Sequence, residues 1–184
     1  MKRIFIGLKV HTGDSLLKIL SSFKAGLSKD NIKWTSIDNI HITLAFLGDT
    51  EEKEIKNISS MLKEECGGSG KFELILKGSG LFRKLEDPRI IWIGIEPSEK
   101  VLQLNNSIMK GLKELNIRME DRPYNPHLTI GRIKHINDRE LLRTLIEKFH
   151  DSEIQTIQVN EVIMYESILL SSGPVYKPLV SVEL

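Results

Sequence analysis

His41-Ile42-Thr43-Leu44 and His127-Leu128-Thr129-Ile130 are two copies of one pattern, His-x-Thr followed by an apolar residue, set 86 positions apart in a chain of 184. Side chains at i and i+2 of a strand point to the same face. His41 and Thr43 then share one face, and Ile42 and Leu44 the other. The same holds for His127 and Thr129 against Leu128 and Ile130. The apolar members can bury against helices while each polar pair faces a cleft. Two such strands side by side would bring two imidazoles and two hydroxyls into one small volume. The spacing, close to half the chain, points to duplication, with one half-site from each half.

The elements around the two motifs repeat in the same order. Ile4-Phe5-Ile6-Gly7-Leu8 matches Ile91-Trp92-Ile93-Gly94-Ile95, and both read as buried strands. A helical pattern follows each. The first runs from Asp14 to Leu27, with Leu16, Leu20, Phe23 and Leu27 on one face. The second runs from Ser98 to Leu115, with Val101, Leu104, Ile108, Leu112 and Leu115 in register and Ser98 as N-cap. Each half then presents its His-x-Thr strand and a charged amphipathic helix, Thr50 to Cys66 and Asn137 to His150, with Thr50 and Asn137 as caps. Each returns to a strand, Phe72–Leu76 and Ile157–Met164, and a last strand covers Val175 to Val182. Gly67-Gly68-Ser69-Gly70 reads as a connector. Gly78 to Pro88, with Gly78, Gly80 and Pro88 as breakers, reads as the junction between half-repeats of about 1–80 and 88–184 within one domain. The competing reading is coincidence between two generic strand–helix–strand segments. Strands alternating with helices, twice over, predict an α+β or α/β fold of two lobes with pseudo-two-fold symmetry.

Bulk composition narrows the classes. With 40% apolar and 28% charged residues the chain has the make-up of a soluble globular protein that can bury its own core. Cys66 is the only cysteine, which excludes an intrachain disulfide and points to a reducing compartment. The apolar run after Lys2-Arg3 breaks at Lys9, too short for a signal peptide or a membrane span, so the expectation is a cytoplasmic protein. A formal net charge of +1 argues against long tracking of a phosphate backbone. Nucleic-acid contact, if present, would be short. Monomer is the default.

Two imidazoles suit displacement at a phosphodiester. Their unperturbed pKa lies near neutrality, so one can accept a proton from the attacking oxygen and the other can donate to the leaving oxygen. Thr43, Thr129 and backbone N–H groups can stabilise the charge on the non-bridging oxygens. Arg132 offers a fork suited to phosphate. It shares no face with His127 and Thr129, and reaches the cleft only if the strand twists, bulges or ends at Gly131. Metal binding is the rival use of two histidines. Neither motif has a Cys, Asp or Glu at ligand spacing, so no metal or other cofactor is expected. Asp49 reads as a turn or helix-start residue. His11, His135 and His150 read as surface histidines. In Arg122-Pro123-Tyr124-Asn125-Pro126 the prolines set an extended approach to His127. Tyr124 could stack on a base or pack in the core, and Arg122 could meet a phosphate. Phe46 and Phe82 read as core, with a cleft-facing ring as the alternative, and Trp34 and Trp92 read as core.

These residues carry a resemblance to the two-histidine (2H) phosphoesterase superfamily, and within it to the bacterial and archaeal RNA 2′,3′-cyclic phosphodiesterases, also called 2′-5′ RNA ligases. It covers nearly the whole chain. It includes Arg3-Ile4-Phe5-Ile6, Trp34, Asn39 to Gly48, Gly78 to Phe82, Pro88 to Trp92, Pro126 to Arg132 and Tyr165-Glu166-Ser167. The resemblance implies a bilobal α+β fold with antiparallel-rich sheets facing a central cleft and helices outside. It implies metal-independent hydrolysis of a 2′,3′-cyclic phosphate at an RNA 3′ end to a 2′-phosphomonoester. His41 would be proton donor, His127 proton acceptor, Thr43 and Thr129 the phosphate clasp, and Arg132 its assistant. Gly131 stands where alanine is common, and Arg83-Lys84 follow Phe82 where proline is usual. Two other readings share these residues: 2′-5′ joining of RNA ends by the reverse reaction, and non-catalytic binding of RNA 3′ ends.

Overall fold

Ile4, Ile6 and Leu8 of the first strand join the main apolar core, while Phe5 between them is buried in a second, small cluster with Ile163 and Tyr165, so this strand is covered on both faces. The computed structural model describes residues 1–119, 123–171 and 173–184. Among these, the strands are β1 (Lys2–Lys9), β2 (Asn31–Trp34), β3 (His41–Thr50), β4 (Phe72–Phe82), β5 (Ile90–Glu96), β6 (Leu128–His135), β7 (Glu153–Val159), β8 (Glu161–Leu170) and β9 (Gly173–Glu183). The helices are α1 (Asp14–Gly26), α2 (Glu52–Cys66), α3 (Glu99–Glu114) and α4 (Arg139–Lys148). None of the described helices is long and apolar enough to cross a membrane.

Every pairing among the described strands is antiparallel, in the order β7-β4-β5-β6-β3-β1-β8-β9, with β2 added beside β6. The two motif strands meet at the middle, where β3 and β6 share the single register pair Ile42↔Leu128. The α+β expectation holds, and the halves of the sheet mirror one another about that junction. Each takes strands from both halves of the chain: β4 crosses to pair with β5, and β8 crosses back to β1. The helices cross as well. α1 packs on β7 and α4, while α2 and α3 pack on each other, with α3 also against β3. One continuous apolar cluster joins both sides, from Ile4 and Leu8 through Ile42, Leu62 and Leu74 to Ile91, Ile108 and Ile130.

Several local expectations are corrected. Gly78 and Gly80 do not break the chain, because β4 runs on through both to Phe82. Gly78 has φ +69° and sits in a bulge between Lys77 and Ser79. Gly80 lies under the Trp92 ring, where a Cβ would come within 2.2 Å of Trp92 Cζ2. Glycine here admits a bulge and a ring rather than ending a strand. The run Ile157–Met164 divides into two strands at Asn160, since β7 is one edge of the sheet and β8 lies in its other half, between β1 and β9.

The caps also shift. Helix α2 starts with Glu51 in a reciprocal capping box with Glu54, and Thr50 stays in β3. Helix α4 is capped by Asp138, whose carboxylate accepts from Leu141 N, while Asn137 bonds to Lys29 and Asp30. In both, an acceptor one residue later reaches the free N–H groups of the first turn. Ser98 holds the cap position of α3 without a side-chain capping bond.

The match between β1 and β5 is displaced as well. By their pairing with the motif strands, Gly7 opposes Thr43 as Trp92 opposes Thr129, so Phe5 corresponds to Ile90. An apolar alternation of period two can slide by two residues without changing faces, so composition alone does not set its register.

Candidate active site

A bulge in each motif strand decides what faces the cleft. In β3, Thr43 pairs with Gly7 and Ala45 with Ile6, which leaves Leu44 as the extra residue. In β6, Thr129 pairs with Trp92 and Gly131 with Ile91, which leaves Ile130 as the extra residue. The extra residue reverses the alternation, so the fifth residue after each histidine returns to the face of the threonine. These are Phe46 and Arg132. Both line a cleft of about 790 Å³ together with Thr43, Thr129, His127 and Tyr124. Arg132 thus reaches the site through the bulge that strict alternation would deny it.

Tertiary hydrogen bonds occupy the carbonyls around each bulge. Tyr124 Oη donates to Thr43 O at 2.8 Å, and Asn105 Nδ2 donates to Leu44 O at 2.8 Å. On the other side Thr35 Oγ1 donates to Thr129 O at 3.0 Å, and Thr35 N to Ile130 O at 3.0 Å. Both threonines are therefore held at their backbones by groups distant in sequence. A half-buried carbonyl without such a partner would cost about 1–3 kcal/mol.

The imidazoles are held alike. His41 Nδ1 donates to Asn39 O at 2.6 Å, and His127 Nδ1 donates to Asn125 O at 2.7 Å. A carbonyl can only accept, so Nδ1 carries the proton and Nε2 is the nitrogen that titrates. His41 Nε2 lies 3.0 Å from Thr43 Oγ1. Phe5 and Tyr176 pack on the His41 ring with centroids at 4.8 and 5.1 Å, and Phe82 meets His127 edge-on at 4.6 Å.

Burial pushes the pKa of His41 below the ordinary imidazole value. The Asn39 carbonyl opposes this, and the charges of Arg132 and His127 add to it. Burial likewise lowers His127, with Asn125 O opposing and Arg132 adding. The charge of Arg132 thus acts in the same direction on both rings.

His41, Thr43, Thr129, His127 and Arg132 are thus brought together. Tyr124 lines the same cleft, with its hydroxyl committed to Thr43 and its phenol pKa raised by burial. Arg122 lies outside the described residues. Phe46 and Phe82 line the cleft rather than the core, Phe46 because the bulge turns it outward to 48% exposure. Trp34 and Trp92 are partly buried. Asp49 lies within β3 opposite Arg3 rather than at a helix start. His11, His135 and His150 are exposed. Sequence reasoning does not single out Thr35, Asn105 or Tyr176. Asn105 alone leaves a trace there, as a polar residue on the otherwise apolar stripe of α3.

The surroundings of this geometry match known proteins over nearly the whole chain. Residues 37–167 match the family model of the 2′-5′ RNA ligase superfamily. An RNA 2′,3′-cyclic phosphodiesterase of Aquifex aeolicus is 33% identical over 180 residues, covering 95% of this chain and 93% of the relative. One from Methanothermobacter thermautotrophicus is 30% identical over 176 residues, covering 95% and 94%. The fold superposes on a Thermus thermophilus protein with TM-score 0.80 at 23% identity, covering 99% and 97% of the two chains. It superposes on E. coli LigT complexed with 3′-AMP with TM-score 0.75 at 21% identity, covering 100% and 98%. The chain belongs to the 2′-5′ RNA ligase superfamily, the two-histidine phosphoesterases.

Proposed function

We propose that this protein hydrolyses the 2′,3′-cyclic phosphate at the 3′ end of RNA and leaves a 2′-phosphomonoester. The observation that carries the reading is the matched pair of imidazoles. Each has Nδ1 tied to the carbonyl two residues earlier, which leaves Nε2 for proton transfer. The relatives named RNA 2′,3′-cyclic phosphodiesterase supply the substrate class.

With the roles that the family resemblance implies, His127 Nε2 takes a proton from water as the water oxygen bonds to phosphorus. The bond from phosphorus to O3′ breaks, and His41 Nε2–H delivers its proton to O3′. The 2′ ester remains. Each positioned acid or base is worth about 10²–10⁴-fold. The free histidines are held toward their neutral forms by burial and by Arg132. A phosphate anion in the cleft reverses that bias and favours one imidazolium, which is the form the acid needs. The hydroxyls of Thr43 and Thr129 and the Arg132 fork are suited to the non-bridging oxygens, where one donor contributes about 3 kcal/mol.

The histidines, threonines and Arg132 all belong to the same chain, so the reading needs no residue of a second copy, and one domain of residues 1–184 acting as a monomer is proposed with it. Cys66, buried and with its thiol pushed up to about 11 by burial, fits a protein of the reducing cytoplasm. The test is EDTA-treated protein with a short RNA ending in 2′,3′-cyclic phosphate, the product's phosphate position being read. A 2′-phosphate is expected. A 3′-phosphate would reverse which oxygen leaves, and loss of activity with EDTA would overturn the two-histidine mechanism.

A further inference from the structure

We propose that a hollow beside the cleft, between the end of β2 and the start of β9, binds the phosphodiester that joins the cyclic-phosphate nucleotide to its 5′ neighbour. The protein would then act on oligonucleotides in preference to mononucleotides. This rests on the function proposed above and extends it.

The hollow has a volume of about 120 Å³, and its lining includes Lys33, Trp34, Ser36, Arg132 and Tyr176. Two contacts join it to the site. Arg132 lines both the hollow and the cleft. Tyr176 places its ring against that of His41. A strand leaving the cleft on this side therefore reaches the hollow one side chain beyond the reacting phosphate.

The charges in it call for an anion. Lys33 and Arg132 are direct cross-strand partners of β2 and β6. Like charges placed opposite one another destabilise a sheet. Among the described residues no carboxylate lines the hollow and Lys33 has no carboxylate partner. A phosphodiester between the two cations relieves their repulsion. The flat faces of Trp34 and Tyr176 suit an adjoining sugar or base. The chain's net charge of +1 offers little elsewhere to track RNA, so contact would be confined to the end of the strand.

The test compares a nucleoside 2′,3′-cyclic phosphate lacking a 5′ phosphate with a dinucleotide ending in the same cyclic phosphate. The dinucleotide should have the higher kcat/KM by roughly tenfold, the worth of one charge-assisted contact, mainly through KM. Lys33→Ala should remove that advantage, leave the nucleoside rate unchanged, and lower the salt dependence of dinucleotide binding by about 0.7 in log–log slope. Lys33→Arg should retain it. Lys33 is exposed, so these variants should fold. Equal rates for the two substrates, or an equal loss on both in Lys33→Ala, would overturn the subsite. If the wild type turns over neither, the proposed function fails. The subsite is then read by binding of the dinucleotide and nucleoside 2′-phosphates, where the same Lys33-dependent difference supports it and equal affinities refute it.

Discussion

Tyr124→Phe separates two roles for one side chain. The ring packs against the core and lines the cleft, and the hydroxyl donates to Thr43 O at 2.8 Å. The substitution keeps the ring, and with it any stacking on a base, and deletes only the donor. An intramolecular hydrogen bond nets about 1 kcal/mol, and a buried acceptor left without a partner costs about 1–3. The Thr43 carbonyl borders the cleft, where water can replace part of the loss, so about 1–2 kcal/mol is expected. In a chain of this size that lowers Tm by about 2–8 °C. If the bond holds Thr43 in the geometry of the transition state, the same energy appears in catalysis as a roughly 5–30-fold fall in kcat with KM little changed. A melting curve and steady-state kinetics on a cyclic-phosphate dinucleotide measure both. A variant that melts and turns over as the wild type does would refute the positioning role. A rise in KM at constant kcat would make the hydroxyl a substrate ligand instead.

His41→Ala and His127→Ala should each lower turnover by about 10²–10⁴-fold with the circular dichroism spectrum unchanged, because both rings are partly exposed and neither belongs to the apolar core; an unfolded spectrum would contradict that placement. Burial lowers both imidazoles in the free enzyme, so the bell-shaped profile of kcat/KM should peak below the unperturbed 6.5. A bound phosphate raises both pKa values, so the profile of kcat should lie at higher pH than that of kcat/KM; coincident profiles would show that the substrate's charge does not reach the rings. Gly80→Ala should destabilise by about 1–3 kcal/mol through its clash with the Trp92 ring, and a melting temperature equal to the wild type's would show that the ring can move aside.

Much of the site is legible in the sequence because it is local. The hydroxyl two residues after each histidine, the apolar partners between them and the repetition of the whole pattern follow from the period of a strand. The alternation of strands and helices, the approximate helix spans and the α+β class follow from hydrophobic periodicity. The glycines mislead because Gly78 and Gly80 look the same in sequence whether they end a strand or admit a bulge and a ring. Phe46 misleads for a related reason. Which of Leu44, Ala45 and Phe46 faces the core depends on one unpaired residue in a ladder, and nothing in the string His41 to Thr50 marks it.

The chemistry on offer, one imidazole and one hydroxyl presented twice by the same strand motif, is written in the order of the residues, since those relations span two positions. Long-range packing set the rest: that the two motifs adjoin, that paired bulges turn Phe46 and Arg132 into the cleft, and that Thr35, Asn105 and Tyr124 hold the bulged backbone. Those contacts join residues 61 to 94 positions apart. A bulge is fixed by what pairs with it and by which groups satisfy its carbonyls, and both partners arrive only when the chain has folded.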